Sequence, residues 1–102
     1  MTEVREYYVQ TCNFSAIMPR KAKVLRVHVQ DGQVRMYVLV QAWSPEEPRA
    51  FAVLRGGEMR GEEMWKYTYI DTFKPGDGQP LCHLFDMTPP DGPLEQLAAC
   101  GT

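Results

Sequence analysis

The sequence predicts an all-β domain, a mostly antiparallel sandwich or open barrel of five to seven short strands. Eight glycines and eight prolines in 102 residues cut the apolar residues into short stretches. Two of these stretches alternate on either side of Asp31-Gly32, a dipeptide that strongly marks a two-residue hairpin turn. No window before the last ten residues shows helical periodicity. A chain of this length forms one domain with one small core.

From the N-terminus, Glu6 to Gln10 and Phe14 to Met18 read as one or two strands. The hairpin follows, with Val24 to Gln30 and Gln33 to Val40 as its arms. A two-residue turn fixes the register, so Val29 faces Val34, Val27 faces Met36 and Leu25 faces Val38. Leu25, Val27, Val29, Val34, Met36 and Val38 then make one wholly apolar face. The other face carries Arg26, His28, Arg35 and Tyr37, with Val24 and Leu39 at its far end.

After a loop from Ser44 to Pro48, Arg49 to Arg55 is the next strand. Residues 56–64 are the one long polar, glycine-bearing loop. Lys66 to Phe73 is rich in the aromatic and β-branched residues that strands favour. Leu81 to Met87 closes the domain after the turn-rich stretch Lys74 to Pro80. The β domain thus spans residues 1–87. Residues 88–102 are a Pro-rich tail, in which Leu94 to Cys100 has the length of two helical turns.

Charge narrows the function. The 11 basic and 13 acidic residues leave a net charge of −2, without the basic excess typical of a dedicated nucleic-acid binder. No direct nucleic-acid partner is therefore expected. No apolar run approaches the roughly 18–20 residues that span a bilayer, and the first residues have no apolar signal core. The expected compartment is the cytoplasm, with no membrane partner. Cys12, Cys82 and Cys100 are odd in number and far apart, so reduced thiols are expected. A small core leaves homo-oligomerisation open.

Catalytic chemistry finds little support. A metal site needs three or four converging ligands, and His28 and His83 have no near partner at ligand spacing. Neither a metal nor a cofactor is expected. Cys82 and His83 are adjacent on a strand and point to opposite faces, so they cannot act as a dyad. Glu46-Glu47 and Glu62-Glu63 lie in expected loops, where solvated charge is the default. Gly56-Gly57 lacks the lysine and hydroxyl residue of a phosphate cradle. The reading is a non-enzymatic protein.

The aromatic residues point to binding. Eleven of them are too many for so small a core. Tyr67 and Tyr69 share a face of their expected strand, as an exposed stripe if Thr68, Ile70 and Thr72 point inward, or as core if they do not. Loop-borne Met59, Met64 and Trp65 lie among Arg60, Glu62 and Glu63, an apolar anchor with a polar rim. The expected partner-binding residues are Met59, Arg60, Glu62, Glu63, Met64, Trp65, Tyr67 and Tyr69.

Several short motifs occur in a familiar order. They are Ala22-Lys-Val-Leu-Arg-Val-His-Val-Gln-Asp-Gly32, Met36-Tyr-Val-Leu-Val40, Arg49-Ala-Phe-Ala-Val-Leu-Arg-Gly-Gly57, Tyr69-Ile-Asp-Thr-Phe73 and Leu81-Cys-His-Leu-Phe-Asp-Met87. Over residues 14–87 the chain resembles a family of small uncharacterised β-domain proteins encoded by bacteriophages and prophages. Cys82 departs from the pattern, since the position before the histidine is often aromatic in such proteins. The resemblance implies an all-β fold and a viral origin, and it carries no catalytic residues.

The expectation that follows is a phage-encoded binding protein that inhibits a host protein or protein complex, such as a bacterial antiviral defence complex, in the manner of an anti-CRISPR steric inhibitor. Two alternatives stand beside it. One is a sponge for a nucleotide immune signal, stacking the base on Tyr or Trp and holding phosphate with Arg26, Arg35, Arg55 or Arg60. The other is a structural or assembly protein of the virion.

Overall fold

The computed structural model describes residues 1–87, apart from the side chains of Glu62 and Glu63. Its strands in chain order are β1 (Thr2–Tyr8), β2 (Phe14–Pro19), β3 (Lys23–Gln30), β4 (Gln33–Gln41), β5 (Glu46–Arg55), β6 (Thr68–Phe73) and β7 (Cys82–Asp86). A 3-10 helix, Glu62–Lys66, stands between β5 and β6. The expected helix at Leu94 to Cys100 lies outside the described residues.

Local chemistry sets the β3–β4 hairpin. Asp31 and Gly32 take φ of 53° and 76°, the two left-handed positions of a type I′ turn. From there Gln30 pairs with Gln33, Val29 with Val34, His28 with Arg35 and Val27 with Met36. The expected register then fails, because the ladder shifts between Val24 and Arg26 and Val24, not Leu25, pairs with Val38. Leu25 is the extra residue of a bulge and is 46% exposed. Val24 turns inward and packs against the core. Two apolar residues in succession let either one fill the inner position, and a bulge reverses the alternation beyond it.

The strands assemble into two antiparallel sheets, β1-β4-β3 and β2-β5-β7-β6. Their inner faces meet in one core. Val27, Val34, Met36, Val38 and Val40 come from the first sheet, and Phe14, Met18, Phe51, Val53, Phe73, Cys82 and Leu84 from the second. Phe14 and Phe51 are cross-strand partners with stacked rings 5.2 Å apart. Complete burial of side chains such as Phe51, Met18, Met36 and Leu84 stabilises the fold by roughly 1.5–3 kcal/mol each before conformational entropy is counted.

Polar contacts join the sheets at their margins. The Val27 N–H on β3 donates to Asp71 Oδ2 on β6 at 2.9 Å. Arg49 on β5 donates through one amino group to the Ala22 carbonyl and through the other to Asp86, each at 2.7 Å. Its buried Nε has no partner. The Arg49–Asp86 pair is mostly buried, at 15% and 14% side-chain exposure.

Other expectations are corrected. The Ser44 to Pro48 loop is shorter than read, because β5 begins at Glu46 and pairs Glu46 and Glu47 with Pro19 and Met18. Pro48 is tolerated because β7 pairs with β5 only from Phe51 onward, which leaves that side of Pro48 outside the β7 ladder. β7 alternates as a strand should, with Cys82 and Leu84 buried and His83 and Phe85 half-buried on the opposite side. Cys12 is disulfide-bonded, against the expectation of reduced thiols throughout. Cys82 is free and buried, and burial raises its thiol above the usual range.

Candidate binding surface

The segment from Arg55 to Tyr67 starts as a tight turn. Gly57 takes a φ of 83°, and the Glu58 N–H donates back to the Arg55 carbonyl at 2.9 Å. The Glu58 carboxylate accepts from the Arg55 N–H at 3.0 Å and from Arg60 Nε at 2.8 Å. The Arg55 backbone bond, with the Arg60 guanidinium adding to it, holds the Glu58 carboxyl below the ordinary range against an opposing effect of burial.

Arg60 fastens this loop to the sheet. Its Nη1 donates to Asn13 Oδ1 at 3.2 Å and its Nη2 to the Val53 carbonyl at 3.0 Å. The same Asn13 oxygen accepts the Val53 N–H at 3.1 Å. Val53 lies beyond the last β2–β5 pair, Phe14 with Phe51. Asn13 and Arg60 thus satisfy the backbone groups of β5 where its neighbour strand has ended.

A loop held in this way displays its apolar residues outward. Met59 is 92% exposed and Trp65 is 91% exposed. Trp65 sits on the 3-10 helix, whose ends are closed by Met64 N–H to the Gly61 carbonyl and Tyr67 N–H to the Met64 carbonyl. Met64 and Tyr67 are half-buried. Of the expected partner-binding residues, Met59, Trp65 and Tyr69 are therefore presented to solvent, whereas Arg60 is engaged inward. Glu62 and Glu63 are placed on the 3-10 helix by their backbone.

The expected tyrosine stripe takes a different form. β6 begins at Thr68, so Tyr67 stands just before the strand and is half-buried, whereas Tyr69 on the strand is exposed. A register shift between Tyr69 and Asp71 turns Ile70 toward the core and brings Thr72 to the outer side with Tyr69. Tyr69 Oη is hydrogen-bonded to Thr72 Oγ1 at 2.6 Å, and Thr72 Oγ1 to His83 Nδ1 at 2.8 Å. The Tyr69 ring meets Phe85 edge-on at 5.7 Å. Sequence reasoning missed this polar chain, because it depends on a bulge that alternation does not reveal. Asn13 was missed as well. Its only signal is its place directly before a strand, where a side-chain amide commonly replaces a backbone partner.

Residues 1–94 match the family model described as a domain of unknown function, DUF7352. The chain belongs to this family. The DUF7352 match takes in β1 as well as the later strands. No curated protein and no solved structure matches the chain. In this DUF7352 chain no group of three or more metal-ligating residues occurs among the described residues. None of their helices is long and apolar enough to cross a membrane.

Proposed function

We propose that the protein is a non-enzymatic binding protein of bacteriophage origin that blocks a host protein by occupying its working surface. The observation that carries this reading is the near-complete exposure of Met59 and Trp65 on a loop pinned by Arg60. Large apolar side chains gain free energy when a partner covers them. A loop fixed beforehand loses less entropy on binding than a mobile one. Tyr69, exposed beside Phe85, extends the surface along β6. Acidic Glu58, Glu62 and Glu63 border the anchors in sequence, which favours a partner with a basic rim, such as the nucleic-acid groove of a defence complex. The resemblance to phage-encoded proteins supports the viral setting.

Two linked measurements test this. The protein is expressed in a defence-proficient bacterium and phage plating efficiency is scored. The same protein and Trp65→Ala then serve as paired baits in a lysate of that strain. The reading requires a rise in plating with the native protein, lost with Trp65→Ala, and a host protein retained only by the native bait. Unchanged plating, or equal capture by both baits, overturns it.

A further inference from the structure

The outer face of the first sheet carries a second surface of different chemistry. The β1–β4 and β4–β3 registers align two cross-strand rows there, Tyr8–Arg35–His28 and Glu6–Tyr37–Arg26. Lys23, on the same side of β3, pairs with Leu39 in the row beyond. The inner side of β4 is the buried one, with Val34, Met36, Val38 and Val40 in the core, so these rows point outward. Tyr8 is 66% exposed, and Arg26, Lys23 and Glu6 are also exposed.

Rings and cations are interleaved on this face. The Arg35 guanidinium carbon lies 5.3 Å from the Tyr8 ring centroid. A 3.0 Å pair with Glu6 and a 2.7 Å hydrogen bond to Gln33 hold Arg35 in that position. His28 and Tyr37 have ring centroids 6.0 Å apart, tilted by 35°. Arg26 and Lys23 have no carboxylate partner among the described residues. Glu6, and Asp31 at the hairpin turn where it shares a recess with Arg35, are the two acids set against the three positive charges of Arg35, Arg26 and Lys23. The net charge of −2 conceals this imbalance, because Glu46, Glu47, Glu58, Asp71 and Asp86 stand on the second sheet or its loop.

We infer that this face binds single-stranded nucleic acid, stacking bases on Tyr8 and Tyr37 and holding phosphates with Arg26 and Lys23. Tyr8 and Tyr37 are diagonal neighbours on adjacent strands, about 7–8 Å apart by sheet geometry, so two successive bases of an extended strand can each meet one ring. Stacking tolerates any base, and Arg beside a ring adds both charge and a flat surface. A duplex hides its base faces and gains only the phosphate contacts. At Tyr8 and Arg35 a free nucleotide fits poorly, because the recess there holds about 160 Å3, below the roughly 300 Å3 of small-molecule pockets. A polymer instead repeats the contact along an open sheet. This site is separate from the Met59–Trp65 surface and does not depend on the reading given to that surface.

Fluorescence anisotropy with the full chain tests the inference, using labelled ten-nucleotide oligothymidylate and oligouridylate at low salt. At least one oligomer should bind saturably, weaken as salt rises, and resist competition by thymidine monophosphate or a blunt duplex at equal nucleotide concentration. Tyr8→Ala and Arg26→Glu, both at exposed positions, should each weaken binding about tenfold or more. Trp65→Ala should leave it within about twofold. Circular dichroism checks that each variant is folded. No saturable binding, equal binding by folded Tyr8→Ala and Arg26→Glu, equal competition by duplex or mononucleotide, or equal loss with Trp65→Ala would overturn the proposal.

Discussion

The Val27 N–H donates to the Asp71 carboxylate at 2.9 Å across the gap between two sheet edges. β3 and β6 each end their own sheet, so neither has a ladder partner on that side. The register shift before Asp71 places the carboxylate where a strand would otherwise have paired. Its second oxygen accepts the Thr72 N–H at 2.8 Å. Hydrogen bonds to a charged group contribute about 1.5–3 kcal/mol. Asp71→Ala is expected to lower unfolding free energy by that amount in urea titration, and Asp71→Asn, which keeps an acceptor, by less. Equal midpoints for Asp71→Ala and the native protein would show that the sheets hold together without this bond.

The Asp31-Gly32 turn gives a purely conformational prediction. A Cβ added at Gly32 meets nothing within 4 Å, so a substitution there costs backbone strain alone. Gly32→Val places a β-branched residue at a φ of 76° and should destabilise by roughly 1 kcal/mol or more. An unchanged denaturation midpoint would argue against the type I′ geometry.

Arg60 and Trp65 should separate loop order from fold stability. Arg60→Ala removes the bonds to Asn13 and the Val53 carbonyl, so hydrogen exchange should accelerate at amides of residues 53–61 ahead of the rest of the domain. Trp65→Ala removes a side chain that is 91% exposed and should shift stability by no more than about 0.5 kcal/mol. A Trp65→Ala protein that unfolds would place the indole in a structural role.

Glu58 makes the loop acid-sensitive. Its folded pKa lies below the ordinary value of 4.5, chiefly through the Arg55 N–H bond. The stabilisation it gives is complete above that ordinary value and disappears as pH falls through the lower folded one. The stability difference between native protein and Glu58→Gln should therefore be constant near neutrality and shrink in the acid range. A difference that stays constant down to pH 3 would contradict the shift.

The legible parts of this fold were those governed by neighbours in sequence. Asp31-Gly32 and the alternation beside it fixed a register that holds from Gln30–Gln33 to Arg26–Tyr37. The reading failed at Leu25, where adjacent apolar residues permit a bulge, and at Glu46 to Pro48, where charge and proline imitate a loop. The exposure of Met59 and Trp65 followed from their loop position. Arg60 did not reveal its inward role, because its partners Asn13 and Val53 are distant or carry only backbone groups. The ring-and-cation face was half visible as Arg26, His28, Arg35 and Tyr37. Tyr8 joins it only through the β1–β4 pairing, which no local pattern specifies.

Among the seven strands, only β3 with β4 and β6 with β7 pair with the strand next in sequence. β1 pairs Thr2 with Gln41, and β2 pairs Phe14 with Phe51. On the ribosome both strands emerge before their partners exist. Val4, Tyr7 and Tyr8 on β1, and Phe14, Ile17 and Met18 on β2, spend that interval with open edges that favour pairing with other chains. Arg5, Glu3 and Pro19 sit among them as charges and a missing donor that discourage such pairing. Translation thus delivers β1 and β2 well before the strands, β4 and β5, that can satisfy them. Changes to β1 and β2 will register in the yield of newly made protein before they register in the stability of the finished one.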